Sequence, residues 1–383
     1  MLVTVLRLFS FGFALLALGG LGYLLLTLWS IRRYSLTRNP APNFTPPVSI
    51  LKPLKGLDPE MYEAFRSHCI QDYPEYEIIF GVSEATDPAV SAVERLKKEF
   101  PSRRIELVVC PEANGTNRKV SNLVEMVKVA RYEHFVINDS DIRVPENYLR
   151  EVMGPFADAK VGMVTALYRG VAANTLGSRL EALTISTDFA GGVLSAIAIE
   201  NGLHFALGST LAISATALEK IGGLMPLIDY LADDYELGVR TVRAGFEVVL
   251  ANVVVETYLH PYSFTEMFEH QLRWARTMRS VRKAGYAGVL FTFGLAWALF
   301  AVVFSGGSVW SWTLLAVLLA VRMIAAYLLC DAVLEDRQTL RDLWLVPLRD
   351  LVGVVVWISS HGGDTITWRG EKFKLADGKL RRV

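Results

Sequence analysis

HFVINDSDIRVPENY, residues 134–148, opens as a short apolar strand, His134-Phe-Val-Ile-Asn138, and ends abruptly in two carboxylates flanking a serine. A run of this length, closed by Asn, Asp and Ser, has the size and punctuation of a buried strand. Three upstream stretches share the character: Val48-Ser-Ile-Leu-Lys-Pro-Leu54, Glu77-Ile-Ile-Phe-Gly-Val82 and Ile105-Glu-Leu-Val-Val-Cys110. Amphipathic helical patterns at 59–70, 88–100 and 119–131 separate the four. That βαβαβαβ order predicts an α/β domain with a mostly parallel sheet and right-handed crossovers. Ligands in such sheets bind beyond the carboxyl ends of the strands. Asp87 falls just behind the second strand, and Asp139 with Asp141 ends the fourth. No Gly-x-Gly-x-x-Gly follows a strand and no Gly-Lys-Ser/Thr occurs, so dinucleotide and P-loop readings lose their main support.

Outward from this core the composition changes. The 383 residues are 52% hydrophobic and 20% charged with a mean hydropathy of +0.32, too apolar for an ordinary soluble domain. Leu8 to Ser30 is uncharged and long enough to span a bilayer, and no small-residue cleavage site follows it. Arg32, Arg33 and Arg38 come after it and only Arg7 before it, which places the next domain in the cytosol by the positive-inside rule. Near the other end, 287–304, 309–330 (broken by Arg322) and 343–360 (broken by Arg349 and Asp350) are apolar. An ion pair is costly in a lipid-facing span, so 343–360 is expected not to cross fully; four crossings would also strand the basic tail outside. The expected division is 1–38 as anchor and basic flank, 39–286 as the α/β domain, and 287–383 as membrane segments and tail. Lys plus Arg balance Asp plus Glu at 39 each, which removes the charge argument for nucleic acid. The three cysteines match neither a disulfide framework nor a zinc spacing.

Carboxylates at a strand end suit a hard divalent cation, Mg2+ or Mn2+, that bridges to a diphosphate. The plainer alternative has Asp139 capping a turn and Asp141 pairing with Arg143. YLADDYELGVR, 230–240, adds Asp233 and Asp234 at a helix start, where a cap and a first-turn acid are the structural alternative. EHQLRWARTMRS, 269–280, is a helix with His270, Arg273 and Trp274 on one face, while Arg273, Arg276, Arg279 and Arg282 spread a basic surface before the next apolar segment.

Pro53-Leu-Lys-Gly56 with Asp58-Pro59, Asp87-Pro88, Asp139-Ser-Asp-Ile-Arg-Val144, Asp234-Tyr235 and Arg273-Trp274, in this order, resemble the ceramide glucosyltransferase family. A weaker echo lies at Thr367-Trp-Arg369. Within that family, Asn117-Arg-Lys-Val-Ser-Asn-Leu123 and Leu272-Arg-Trp-Ala-Arg276 look most like the bacterial hopanoid-biosynthesis-associated glycosyltransferases. The resemblance implies a GT-A fold between membrane helices and inversion at the sugar anomeric carbon. It implies that Asp87 contacts the nucleotide, that Lys119 and Asn122 are substrate-binding, that Asp139 and Asp141 hold metal and diphosphate, and that Asp234 is the general base. It assigns Arg273 and Trp274 to the diphosphate and acceptor, with His270 and Gln271 among the substrate-binding residues. One departure stands out: the family's Gln/Arg-x-x-Arg-Trp has its first place at His270, with Gln271 one residue later.

The expected protein is a multi-pass membrane enzyme facing the cytosol that moves one sugar from a UDP-sugar to a membrane-lipid hydroxyl. N-acetylglucosamine and a hopanoid polyol are the implied pair, with glucose and ceramide the alternative. A processive polysaccharide synthase would need more apolar segments, and a catalytically dead receptor would have lost the acids. The stretch 184–209, rich in Gly and small residues, is expected either to leave room for a rigid acceptor or to form core helix and strand.

Overall fold

The computed structural model describes residues 2–38, 40–112, 114–368 and 370–382. By contacts the chain divides into two units, one of residues 38–171, 196–260 and 372–383, the other of 1–37, 172–195 and 261–371.

The first unit is built on eight strands: β1 (Val48–Leu54), β2 (Tyr76–Val82), β3 (Ile105–Val109), β4 (His134–Ile137), β5 (Ile142–Arg143), β6 (Val161–Val171), β7 (Leu211–Ser214) and β8 (Glu247–Tyr258). Their order is β3-β2-β1-β4-β7-β6-β8-β5. Every residue of β1 and β2 is buried, as expected when helices cover both faces. Alternate side chains then feed opposite cores: Val48, Ile50, Ile78 and Phe80 pack with Phe65 and Val93, whereas Leu51 and Ile79 pack with Leu123 and Met126. Each such side chain contributes about 1.5–3 kcal/mol on burial. The helix Arg118–Val129 lies so close to β2 that a Cβ on Gly81 would stand 2.4 Å from Met126 Sδ, hence the glycine in the strand.

The first four strands are parallel, as the βα pattern predicts. Beyond them the sheet is mixed rather than mostly parallel: β4 and β6 both run antiparallel to β7, β6 is parallel to β8, and β5 is antiparallel to β8. The connection from β6 to β7 runs through residues 172–210 instead of a simple crossover, so the handedness rule does not fix the direction of β7. The tail adds a hairpin, Glu371–Ala376 with Lys379–Arg382. Asp377 and Gly378 close it at φ of 48° and 79°, as a two-residue type I′ turn demands.

The second unit carries the long apolar helices. Val5–Thr37 and Val309–Val333 have the length and hydropathy to cross a membrane, as do Leu343–Ser360 and Leu176–Glu200; Lys283–Thr292 and Gly294–Phe304 form a pair bent by 53°. A Cβ on Gly20 would sit 2.3 Å from Gly294 Cα, so the first helix and Gly294–Phe304 touch backbone to backbone through glycine. Phe9 packs on Phe304 and Phe11 stacks on Trp310, each at 5.8 Å between ring centres. The charges at 322, 349 and 350 pair within the protein. Arg322 binds Asp350 at 2.9 and 3.0 Å and Asp188 at 2.9 Å, and Arg349 reaches Asp188 at 2.5 Å. Two arginines and two aspartates neutralise one another, which removes most of the cost of burying them.

Candidate active site

Asp139, directly after β4, keeps 42% of its side chain exposed, and Lys119 Nζ stands 2.7 Å from its Oδ1. The same ammonium is 3.6 Å from Asp233 Oδ2, at the first residue of the helix Asp233–Arg243. Lys119 thus joins the two acidic motifs. Its aim follows from the helix cap: Asn117 accepts from Val120 N at 3.2 Å, while its amide donates to Tyr230 O at 2.7 Å and lies 3.3 Å from Asp233 Oδ1. One asparagine starts the Lys119 helix and ties down the loop that leads to Asp233 and Asp234.

Lys52 in β1 is wholly buried and donates to the Asp139 carbonyl at 3.0 Å. Burial pulls its pKa down to about 7, against the Asp141 and Asp139 carboxylates. Lys119 feels the same burial, but Asp139, Asp233 and Asp234 prevail and hold it well above the ordinary lysine value. Asp141 accepts from the Thr257 hydroxyl, and burial together with the Asp139 charge lifts it to about 6. Asp234 is half-buried, and burial with the neighbouring Asp233 charge lifts it likewise to about 6. Asp58 accepts from the Ser140 hydroxyl and lies 3.3 Å from His260 Nε2.

Asp58, Asp139, Asp141, Asp233 and Asp234 therefore outnumber Lys52 and Lys119, and all their donors are hard oxygens. Among the described residues no three His, Cys, Asp or Glu form a ready-made metal cluster. The donor chemistry fits Mg2+ or Mn2+ shared with a substrate diphosphate, which supplies further oxygens, better than a closed protein cage. Two of the plainer alternatives for these acids fail, while two stand: Asp139 opens a turn, its carbonyl accepting from Ile142 N at 3.3 Å, and Asp234 lies in the first turn of its helix. Arg143 donates to the Tyr258 hydroxyl at 2.9 Å instead of pairing with Asp141, and Ala232, not Asp233, occupies the cap position.

Asp87 and Asn122 have local partners. Both Asp87 oxygens accept from Gly56 N, at 3.1 and 3.0 Å, and Oδ1 accepts from Ala89 N at 2.9 Å, which clasps the turn after β1 to the helix Ala89–Glu99. Asn122 is 3% exposed and accepts from the Ser83 hydroxyl at 3.1 Å.

In the other unit, the helix Phe264–Val281 carries His270, Gln271, Arg273 and Trp274. Glu181, fully buried, receives His270 Nδ1 at 2.9 Å and Gln271 Nε2 at 2.7 Å. The displaced glutamine and the histidine in its usual place thus hold one carboxylate together. The His270 and Trp274 rings lie 5.1 Å apart, and Arg273 is half-buried on the same helix. Arg276 and Arg279 donate to the Thr365 and Gly363 carbonyls, so part of the basic surface is structural. Arg369 lies outside the described residues.

The small residues of 184–209 do not simply leave room. A Cβ on Gly191 would meet Leu329 and Thr27 at 3.2 Å, and Ser195 Oγ is 3.2 Å from Thr27 Oγ1, so both serve close helix packing. Sequence reasoning missed Lys52, Glu181 and the tail hairpin. A lone lysine inside a buried strand, a lone acid in the apolar run 180–185, and Asp-Gly between alternating apolar residues at 373–380 were the signals.

The sequence profile of glycosyl transferase family 21 matches residues 12–381. Ceramide glucosyltransferase 1 of Caenorhabditis elegans is 24% identical over 397 aligned residues, covering 97% of this chain and 82% of the relative. A ceramide glucosyltransferase of Komagataella phaffii is 35% identical over 109 residues, 27% of this chain and 21% of the relative. Among solved structures, a mannosyltransferase from Pyrobaculum calidifontis in complex with GDP-Man and Mn2+ superposes with a TM-score of 0.53 at 20% identity, over 92% of this chain and 99% of that one. The shared architecture is the mixed α/β GT-A-like glycosyltransferase fold.

Proposed function

Because the chain belongs to glycosyl transferase family 21, we propose that it moves one sugar, with inversion, from a UDP-sugar to the hydroxyl of a membrane lipid. The observation that carries this reading is the junction of Asp139, Lys119, Asp233 and Asp234 in a chain that also bears several long apolar helices. Single displacement at an anomeric carbon requires a base on the acceptor and stabilisation of the departing diphosphate. Asp234, with a pKa raised by burial to about 6, is ionised at neutral pH and still basic enough to take a hydroxyl proton. Lys119 supplies a fixed positive charge beside Asp139, and Lys52 holds the Asp139 backbone in place. A divalent cation bound through Asp139 and Asp141 would neutralise charge on the leaving diphosphate. Arg273 and Trp274 are assigned to the diphosphate and acceptor, with Glu181 orienting their helix face through His270 and Gln271.

For the acceptor, the resemblance at Asn117–Leu123 favours a hopanoid polyol receiving N-acetylglucosamine. The ceramide glucosyltransferase relatives favour ceramide receiving glucose as the second reading. Membranes holding the protein, incubated with labelled UDP-sugars and both lipids, should yield a hopanoid glycolipid on mass spectrometry. Glucosylceramide alone would promote the second reading, and no glycolipid from any pair would overturn sugar transfer to a membrane lipid.

The sheet side is assigned to the cytosol and the amino terminus to the outside. Residues 372–383 belong to the same unit as the sheet, which supports an even number of crossings between 261 and 371. The Phe9–Phe304 and Phe11–Trp310 contacts put the turn after Phe304 level with the start of the first helix, so 283–304 leads outward and 309–333 returns. Leu343–Ser360 then does not cross, and neither does Leu176–Glu200, which leaves from β6 and comes back to the same sheet at β7. Cysteines at Ser91 and at Lys379 are both expected to resist an impermeant thiol reagent until the membrane is opened; labelling of only one in intact cells would break the parity.

A further inference from the structure

We infer that the carboxyl-terminal hairpin is a positioning element of the acidic site: residues 378–380 form the pairing partner of the loop 229–231 and thereby set the start of the helix that carries Asp233 and Asp234. This rests on the functional reading above. Leu380 N donates to Asp229 O at 2.7 Å, Leu231 N donates to Gly378 O at 3.3 Å, and Tyr230 forms a β-bridge with Lys379. Lys379 Nζ also lies 5.3 Å over the Tyr230 ring. The residues that open the Lys119 helix hold the same loop, and the Thr116 hydroxyl also stands 3.5 Å from Leu380 O. Asp229 Oδ1 accepts from Thr116 N at 3.1 Å and from its hydroxyl at 3.0 Å, Asn117 N donates to Ile228 O at 2.7 Å, and the Asn117 amide donates to Tyr230 O at 2.7 Å. Residues 228–231 are thus a strand-like segment held jointly by the start of the Lys119 helix and by the tail.

The geometry has a consequence for backbone hydrogen bonding. Ala376 and Lys379 are the pair that flanks the turn, so Leu380 N faces away from its own hairpin and is available only to the loop. The side chains of Phe373, Leu375 and Leu380 are buried, which anchors the hairpin by burial as well as by pairing. Without the tail, Asp229 O and Leu231 N lose these partners, and the loop 229–231 is left to the Thr116 contacts at Asp229 and the Asn117 contact at Tyr230. A base displaced by about 1 Å can lose about 100-fold in rate while the ground-state donor complex is little altered.

The test uses the full chain with Leu380→Pro, which removes the outward N–H and keeps an extended backbone. Turnover is expected to fall by about tenfold or more with the donor KM changed less than about twofold, and amide exchange across 229–235 to quicken by about tenfold or more. Should that variant fold poorly, Thr116→Val, which removes the hydroxyl that stands 3.0 Å from Asp229 Oδ1 and 3.5 Å from Leu380 O and so joins the loop to the hairpin, should move turnover and exchange in the same direction. Unchanged turnover per folded molecule, or unchanged exchange in 229–235, overturns the inference. If wild-type protein shows no transfer to any lipid, the functional reading fails, while the exchange measurement still decides the hairpin's role.

Discussion

Asp234→Asn should leave UDP-sugar binding nearly intact and remove transfer. The amide keeps the size of the carboxylate, which matters because a Cβ on Gly208 would already stand 2.9 Å from Asp234 Oδ2, so the side chain occupies a confined niche. What is lost is the ability to accept the acceptor proton, and general-base assistance is typically worth about 10² to 10⁴ in rate. Turnover above about a tenth of wild type would contradict the assignment on that scale. The pH profile gives a second check. Burial and the Asp233 charge raise the Asp234 carboxyl to about 6, and a base works only when deprotonated, so wild-type turnover should fall as pH drops through about 6. Asp141 is raised to about 6 as well, so the limb carries both carboxyls, and any residual turnover of the asparagine variant should keep only the Asp141 part.

Asp139→Ala and Asp141→Ala should instead damage donor binding and rate together, since both acids are assigned to the ground-state complex of cation and diphosphate. Partners one step removed from a metal commonly cost about 10 to 100-fold in metal affinity, so a direct ligand should cost at least about 100-fold. Asp139→Ala carries a further penalty, because Lys119 loses its 2.7 Å partner and is left beside Asp233 alone. Exhaustive chelation should reproduce both variants, and added Mn2+ or Mg2+ should restore the wild type but not the variants. Activity that survives chelation would transfer the diphosphate charge to Lys119 and Arg273. The contrast between the two experiments is diagnostic: one variant spares the donor KM and the other raises it.

Much of this molecule is written in local sequence. β1 to β4 and their three helices follow from apolar runs and amphipathic periods, since burial on both sheet faces leaves a continuous apolar signature that a short window can carry. The spans near both ends follow from length and hydropathy alone. The acidic motifs were legible as types and positions. Their connection was not: nothing between 119 and 233 announces that one ammonium bridges Asp139 and Asp233, or that Asn117 ties the loop ahead of Asp233.

Sequence by itself determined the parallel half of the sheet and the apolar spans, because each depends on neighbours within about one helix turn or one strand. Tertiary structure alone decided the direction of β7, the neutral quartet of Arg322, Arg349, Asp188 and Asp350, and the return of the tail to residues 229–231. These features pair groups far apart in the chain. Their free energy comes from desolvation and hydrogen bonding at the moment of contact, and that leaves no periodic trace in the residues that later meet.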